Sequence, residues 1–188
     1  MLTLSFMRHA FVASTFIAIV SGFVGVFVVA RNLSFLTHTL SEIGFAGGAF
    51  AVFIGWPVLN GMILFTMLSS ILVGQMSIKE SRHEAVTSAV SALFIGLGIL
   101  FLSLSSANAS SATNILFGSV VGINLTEVWQ LIYLSIVVIL IIFAVYRQLK
   151  FTSFDAIGAR VSGLNAALYS VIFLIVLALS VSVAAQIV

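Results

Sequence analysis

His38 and Glu42 are the residues of this 188-residue sequence best placed to do chemistry. They stand four apart in an otherwise apolar run, so on a helix they share one face, about one turn from each other. Imidazole nitrogen and carboxylate oxygen both ligate first-row divalent cations, and two ligands from one helix leave positions open for water or a second subunit. Such an incomplete set suits transient binding of a metal in transit. A charged group near the centre of a helix in lipid costs roughly 2.5–3.5 kcal/mol on insertion scales and is tolerated where it faces a cavity, a partner or a pathway. A second reading of the same residues stays open at this point. Thr39 and Glu42 also have capping-box spacing, and Arg31 sets a boundary nearby, which would make Glu42 a helix-start residue and His38 a loop residue. His9 and His83 stand beside expected interfaces and read as solvated side chains.

The elements that must position this pair are membrane helices. Hydrophobic residues make up 62% of the chain and charged residues 6%, and the mean hydropathy is +1.31, well beyond what a water-soluble domain sustains. One Pro and no long polar tract leave no linker, so residues 1–188 read as a single transmembrane domain. Seven basic residues against five acidic ones is too small an excess to suggest nucleic acid. The absence of cysteine excludes disulfides, Cys-based zinc sites and thiol catalysis. No phosphate-cradling loop with a Lys, no His-Glu-x-x-His run and no nucleophile elbow is present, so the sequence offers neither ATP hydrolysis nor covalent catalysis.

Six apolar runs read as spans: about Ala10–Ala30, Leu33–Trp56, Pro57–Met76, Val86–Ser106, Leu125–Tyr146 and Leu164–Val188. The first follows Arg8 as a signal peptide would, but it is long and lacks a convincing cleavage site, so it reads as a retained helix. Gly55, Trp56 and Pro57 make a tight junction between the second and third runs. Ser77–Glu84 reads as a solvated loop, and Ala107–Asn124 as an irregular or partly re-entrant segment. Arg31, Lys79, Arg82, Arg147, Lys150 and Arg160 fall in the loops after spans one, three and five, which places those loops in the cytoplasm and the N-terminus outside. Gly44 and Gly48, like Ser21 and Gly25, have the four-residue spacing of small residues that lets helices approach closely. Packing within the chain is the plainer reading of that spacing.

On the cytoplasmic side, Lys150–Gly163 carries its own signals. Asp155 is placed to cap a short helix over Ala156–Ser162, and Gly163 to stop it. A short helix on that face is what a soluble motor subunit would grip, and it also reads as an ordinary interfacial helix.

Phe6–Ala10, Gly25–Phe35, Thr37–Gly47, Leu116–Ser119 and Phe154–Ala156 together resemble the permeases of metal-ion ABC importers, which take up zinc, manganese or iron(II) with an extracellular binding protein. The stretch from Gly25 to Gly47 is the specific part. The resemblance implies an all-α, polytopic helical bundle of about six spans in the cell membrane of a bacterium. It implies no permanently bound cofactor, a divalent metal ion as cargo, and no enzymatic activity in this chain. Its expected partners are a cytoplasmic ABC ATPase, an extracellular metal-binding lipoprotein, membrane lipid and a second permease copy, with no nucleic acid. The family commonly has Asp where this sequence has His38 and His where it has Glu42, two positions implicated in the metal path. That exchange keeps both ligand types but changes their reach, so metal identity does not carry over. Phe154, Asp155, Ala156, Ile157, Gly158, Ala159 and Arg160 match the family's ATPase-coupling segment, and Gly44 and Gly48 fall on its small-residue helix. Family permeases continue past a sixth span, so this chain is expected to lack the C-terminal part. Two rival expectations remain: a permease for a metal chelate such as a siderophore or cobalamin, and a gradient-driven cation transporter or structural membrane subunit with no ATPase.

Overall fold

The computed structural model describes residues 5–76, 83–105 and 125–186. Among them are seven helices and no strand: α1 Ser5–Ala30, α2 Ser34–Ile54, α3 Val58–Met76, α4 His83–Leu104, α5 Leu125–Phe154, α6 Ala156–Val161 and α7 Ala166–Ala185. Six of these coincide with the six expected spans, and the chain is a multi-pass, all-α transmembrane bundle. By length and apolarity, α1, α4, α5 and α7 each suffice to cross a bilayer, and α3 contributes the shorter apolar segment Val58–Val73. Helix α2 is the least lipid-like span, because its first half carries Thr37, His38, Thr39, Ser41 and Glu42. It lies inside the bundle, packed on α3, α4 and α7, so neighbouring helices rather than lipid solvate much of its length.

Local signals explain the turns. After α1, Asn32 adopts φ 56° and the Leu33 amide donates to the Val28 carbonyl. This is the left-handed stop in which Asn substitutes for Gly. After α2, Gly55 at φ 81° and the Trp56 amide on the Ala51 carbonyl repeat the motif, and Pro57 directly precedes α3. The Gly55–Pro57 junction is therefore the expected hairpin. Helix α5 is 30 residues long and runs on through Arg147 and Lys150 to Phe154, beyond the apolar run that marks its span. The hydrophobic pattern ends where lipid ends, whereas helical hydrogen bonding continues into the polar region. Residues 77–82 of the expected solvated loop and the whole of Ala107–Asn124 lie outside the described residues.

The core forms where α1, α2, α5 and α7 meet. Val20, Val24, Phe27, Leu36, Leu40, Val138, Ile142, Leu149, Phe173 and Leu177 are buried together there, with the Phe27 and Phe173 rings edge-to-face at 6.0 Å between centroids. Large apolar side chains such as Phe11, Val29, Leu93, Leu140 and Phe143 stay exposed on the outer faces, as a lipid-facing surface requires. Helices α2 and α3 approach most closely at Gly47 and Gly61, where a Cβ on either would collide with the other's backbone carbonyl. A Cβ on Gly98 of α4 would stand 2.8 Å from the Ala46 Cα. Gly44 and Gly48 are both buried on α2. A Cβ on Gly44 would make only ordinary contact, 3.7 Å from the Thr66 methyl group. Small residues thus bring α3 and α4 against α2 by backbone approach, the mode open to helices in lipid.

Candidate functional site

His38 and Glu42 both lie within α2, which begins at Ser34 with Leu33 as its N-cap. The helix-start reading of Glu42 is therefore overturned. Thr39 is inside the helix, and its hydroxyl donates to the Phe35 carbonyl one turn back, so it caps nothing. His38 Nδ1 and Glu42 Oε1 stand 3.7 Å apart, with the two side chains 77% and 41% exposed. Ser34, Phe35 and Ser41 are exposed on the same side of the helix. A polar, open face thus occurs on a helix whose other sides are buried.

A third residue completes the arrangement. Ser91 of α4, itself only 6% exposed, donates its hydroxyl hydrogen to Glu42 Oε2 at 2.8 Å. A hydrogen bond from a buried hydroxyl to a carboxylate is short and roughly twice as strong as a neutral one. It restrains the carboxylate while Oε1 stays beside His38. Glu42 and Ser91 each lie about two turns inside their helices, so α4 starts at the same end of the bundle as α2. The sequence reading missed Ser91, one of several hydroxyls on α4 and 49 positions from Glu42. Its only sequence signal is the pairing of Thr87 and Ser91 at helical spacing, both of them buried on an apolar helix. Among the described residues no group of three or more His, Cys, Asp or Glu side chains comes together.

At the same end of the bundle, Arg31 leaves the α1–α2 turn and reaches inward. Its Nε and Nη2 donate to Ser153 Oγ and Thr152 Oγ1, each at 2.7 Å, and its Nη1 reaches Ser170 Oγ at 3.4 Å. Its Cζ lies 4.9 Å from the centre of the Phe173 ring, a cation–π distance. Burial pulls the guanidinium pKa below its ordinary value, since desolvation disfavours the charged form.

The short helix α6 follows from the signals seen in the sequence. Asp155 Oδ1 accepts from the Gly158 amide at 2.8 Å, the N-cap geometry. Gly163 at φ 73°, with the Leu164 amide on the Ala159 carbonyl, ends the helix in the left-handed stop. Asn165 then caps α7 through the Leu168 amide. Phe154, Ile157 and Val161 are strongly exposed, so this end of the bundle carries an apolar knob. Ala159 is buried beneath it, and Ala156 and Arg160 lie on the same helix.

Comparison with known proteins gives these features a context. The family model described as the ABC 3 transport family matches residues 3–188. The chain belongs to the ABC 3 transport family. Among its relatives, the manganese import system permease protein ScaB of Streptococcus gordonii is 30% identical over 185 residues, covering 96% of this chain and 65% of ScaB. The manganese transport system membrane protein MntC of Listeria monocytogenes is 27% identical, covering 86% of this chain and 58% of MntC. In fold, this ABC 3 chain matches PsaBC of Streptococcus pneumoniae, solved in complex with Fab, with a TM-score of 0.84 and 24% identity over 98% of this chain and 66% of that one. The chain thus spans less than two thirds of the length of these relatives. Membership in a transport family agrees with a chain in which the sequence holds no enzymatic motif.

Proposed function

We propose that this chain is the membrane-spanning permease part of an ATP-driven importer for divalent metal ions, with His38 and Glu42 lining the metal path. The observation that carries the reading is the open face of α2, where an imidazole and a carboxylate stand 3.7 Å apart on an otherwise apolar bundle. Ligand atoms about 2.1 Å from a shared ion lie roughly 3–4 Å from each other, so one cation can take both groups. Left against lipid, such a pair would carry the insertion cost of buried charge. A second permease copy covering this face removes that cost and supplies the remaining ligands. The names of the relatives favour manganese as cargo, and zinc and iron(II) are the other candidates that nitrogen and oxygen ligands accept.

The remaining roles follow from position. The segment Phe154–Arg160, with Phe154 and Ile157 exposed, is the contact for a cytoplasmic ATPase subunit whose closure switches the path between outward and inward access. Arg147 and Lys150, exposed near the end of α5, mark that end as cytoplasmic by the positive-inside rule. Trp129 and Tyr133, exposed near the start of α5, mark the outer interface, where an extracellular metal-binding lipoprotein delivers its ion. The N-terminus lies outside, and the protein sits in the bacterial cell membrane with no resident cofactor.

The test is uptake of radioactive manganese and zinc by cells carrying the complete transporter operon, with His38→Ala and Glu42→Ala compared at matched membrane abundance. Metal uptake lost in both variants while the ATPase still co-purifies is the expected result. Undiminished uptake in both would overturn the ligand assignment and favour a permease with a wide, non-coordinating path for a chelate.

A further inference from the structure

Arg31 presents a puzzle of charge. It is drawn inward at the end of the bundle, and among the described residues no carboxylate pairs with it. Three of its donors are spent on neutral hydroxyls 121, 122 and 139 positions away in the chain. A long basic side chain at a membrane boundary ordinarily snorkels to water or lipid phosphate, and this one does the reverse. The identity of its partners is informative. Thr152 and Ser153 form the last turn of α5, and Ser170 belongs to the first turns of α7, so the guanidinium spans both flanks of α6. Its own backbone stands in the turn from which α2 departs, held by the left-handed Asn32 and by the Leu33 amide on the Val28 carbonyl. Thr37, one residue before His38, donates its hydroxyl back to the Leu33 carbonyl. One side chain therefore links the flanks of the coupling segment to the start of the helix that carries His38 and Glu42.

We propose that Arg31 is a positioning residue for energy coupling, transmitting displacement of α6 to helix α2 and its ligand pair. The proposal rests on the reading of α6 as the ATPase contact and of His38 and Glu42 as the metal path. Alternating access needs an element with two arrangements that the motor can bias. A guanidinium on hydroxyls fits this need, because its five donors in a rigid fork can exchange between neutral acceptors without opening an ion pair. The Phe173 ring beneath it belongs to the core shared by α1, α2, α5 and α7, so movement of the charge is felt by the helices packed there. Arg31 touches neither His38 nor Glu42 through any of these hydrogen bonds, and its action is on their helix.

The experiment uses the complete transporter with its ATPase in proteoliposomes and reads three quantities: manganese binding, ATP hydrolysis, and manganese imported per ATP hydrolysed. Arg31→Met keeps the apolar stem and removes the donors. Thr152→Val combined with Ser153→Ala removes the acceptors and leaves Arg31 in place, which keeps the proposal testable should Arg31→Met fail to assemble. The expected result in both is wild-type manganese binding and ATP hydrolysis, with import per ATP reduced about tenfold, the scale of an ordinary coupling free energy. Arg31→Lys, which keeps the charge without the fork, recovers part of the loss. A merely structural anchor would lower manganese binding and ATP hydrolysis together with the amount of assembled complex and leave import per ATP at the wild-type value, and that outcome overturns the proposal. His38→Ala, measured alongside, separates the two readings. Retained manganese binding there sinks the path assignment, whereas lost binding there with unchanged coupling in the Arg31 and hydroxyl variants sinks this inference alone.

Discussion

On one side of α2, Gly47 presses against Gly61 of α3 with no room for a methyl group, whereas His38, nine residues earlier and half a turn round the helix, stands open. Glu42 lies between these extremes, one carboxylate oxygen held by Ser91 and the other beside His38. Backbone contact with α3 and α4 fixes the helix on its packed side, so the open side needs few partners of its own to be held in place. The open side is thus preorganised by the closed one, a division of labour that suits a site which must grip and release an ion.

The comparison breaks most severely at the packed side. Gly47→Ala places a methyl group against the Gly61 carbonyl, and because that obstacle is backbone, the two helices must separate. Overpacking of this kind costs about 1–3 kcal/mol, and thermal unfolding in detergent is expected to show a clearly lowered midpoint with manganese uptake reduced as well. A midpoint equal to wild type would mean that α2 and α3 are not held by this approach. The open side is probed more gently. Ser91→Ala frees the Glu42 carboxylate without removing a ligand, and loss of such an outer partner typically weakens metal affinity about tenfold or somewhat more. Manganese titration of uptake is expected to show that weakening at unchanged thermal stability, with Ser91→Thr restoring the wild-type value. If Ser91→Ala lowers stability and leaves affinity alone, the hydroxyl is packing glue like the Thr66–Ser182 pair, whose oxygens lie 2.7 Å apart between α3 and α7.

Much of this architecture was legible in the residues themselves. Apolar runs and interfacial aromatics placed six spans, Gly55 to Pro57 placed the α2–α3 hairpin, and Asp155 with Gly163 placed both ends of α6. These are local signals, decided within a few residues by hydrogen-bonding needs and by φ. What the sequence withheld was the identity of neighbours. The spacing of Gly44 and Gly48 pointed to a small-residue side of α2, and both are buried, yet the tightest contact fell on Gly47, because the crossing point depends on where Gly61 arrives from α3. Ser91 and the hydroxyls around Arg31 were hidden for the same reason. Serine and threonine are common on these helices, and only the folded chain brings particular ones to Glu42 or Arg31 across tens of residues. Capping-box spacing at Thr39 and Glu42 misled because helix α2 starts more than a turn earlier, at Ser34, and periodicity alone does not fix a helix start inside a polar stretch.

The central claim, that manganese occupies the open side of α2, is tested most directly at Ser41, an exposed residue between His38 and Glu42 in the chain and on the same side of the helix. The chain contains no cysteine, so Ser41→Cys introduces its single thiol. In the purified complete transporter, the rate at which a thiol-specific reagent modifies this residue is measured with and without saturating manganese. The account predicts that manganese slows modification, and that the protection disappears when Glu42→Ala is added. Modification at the same rate with and without the metal, in a preparation that still binds manganese, would contradict it.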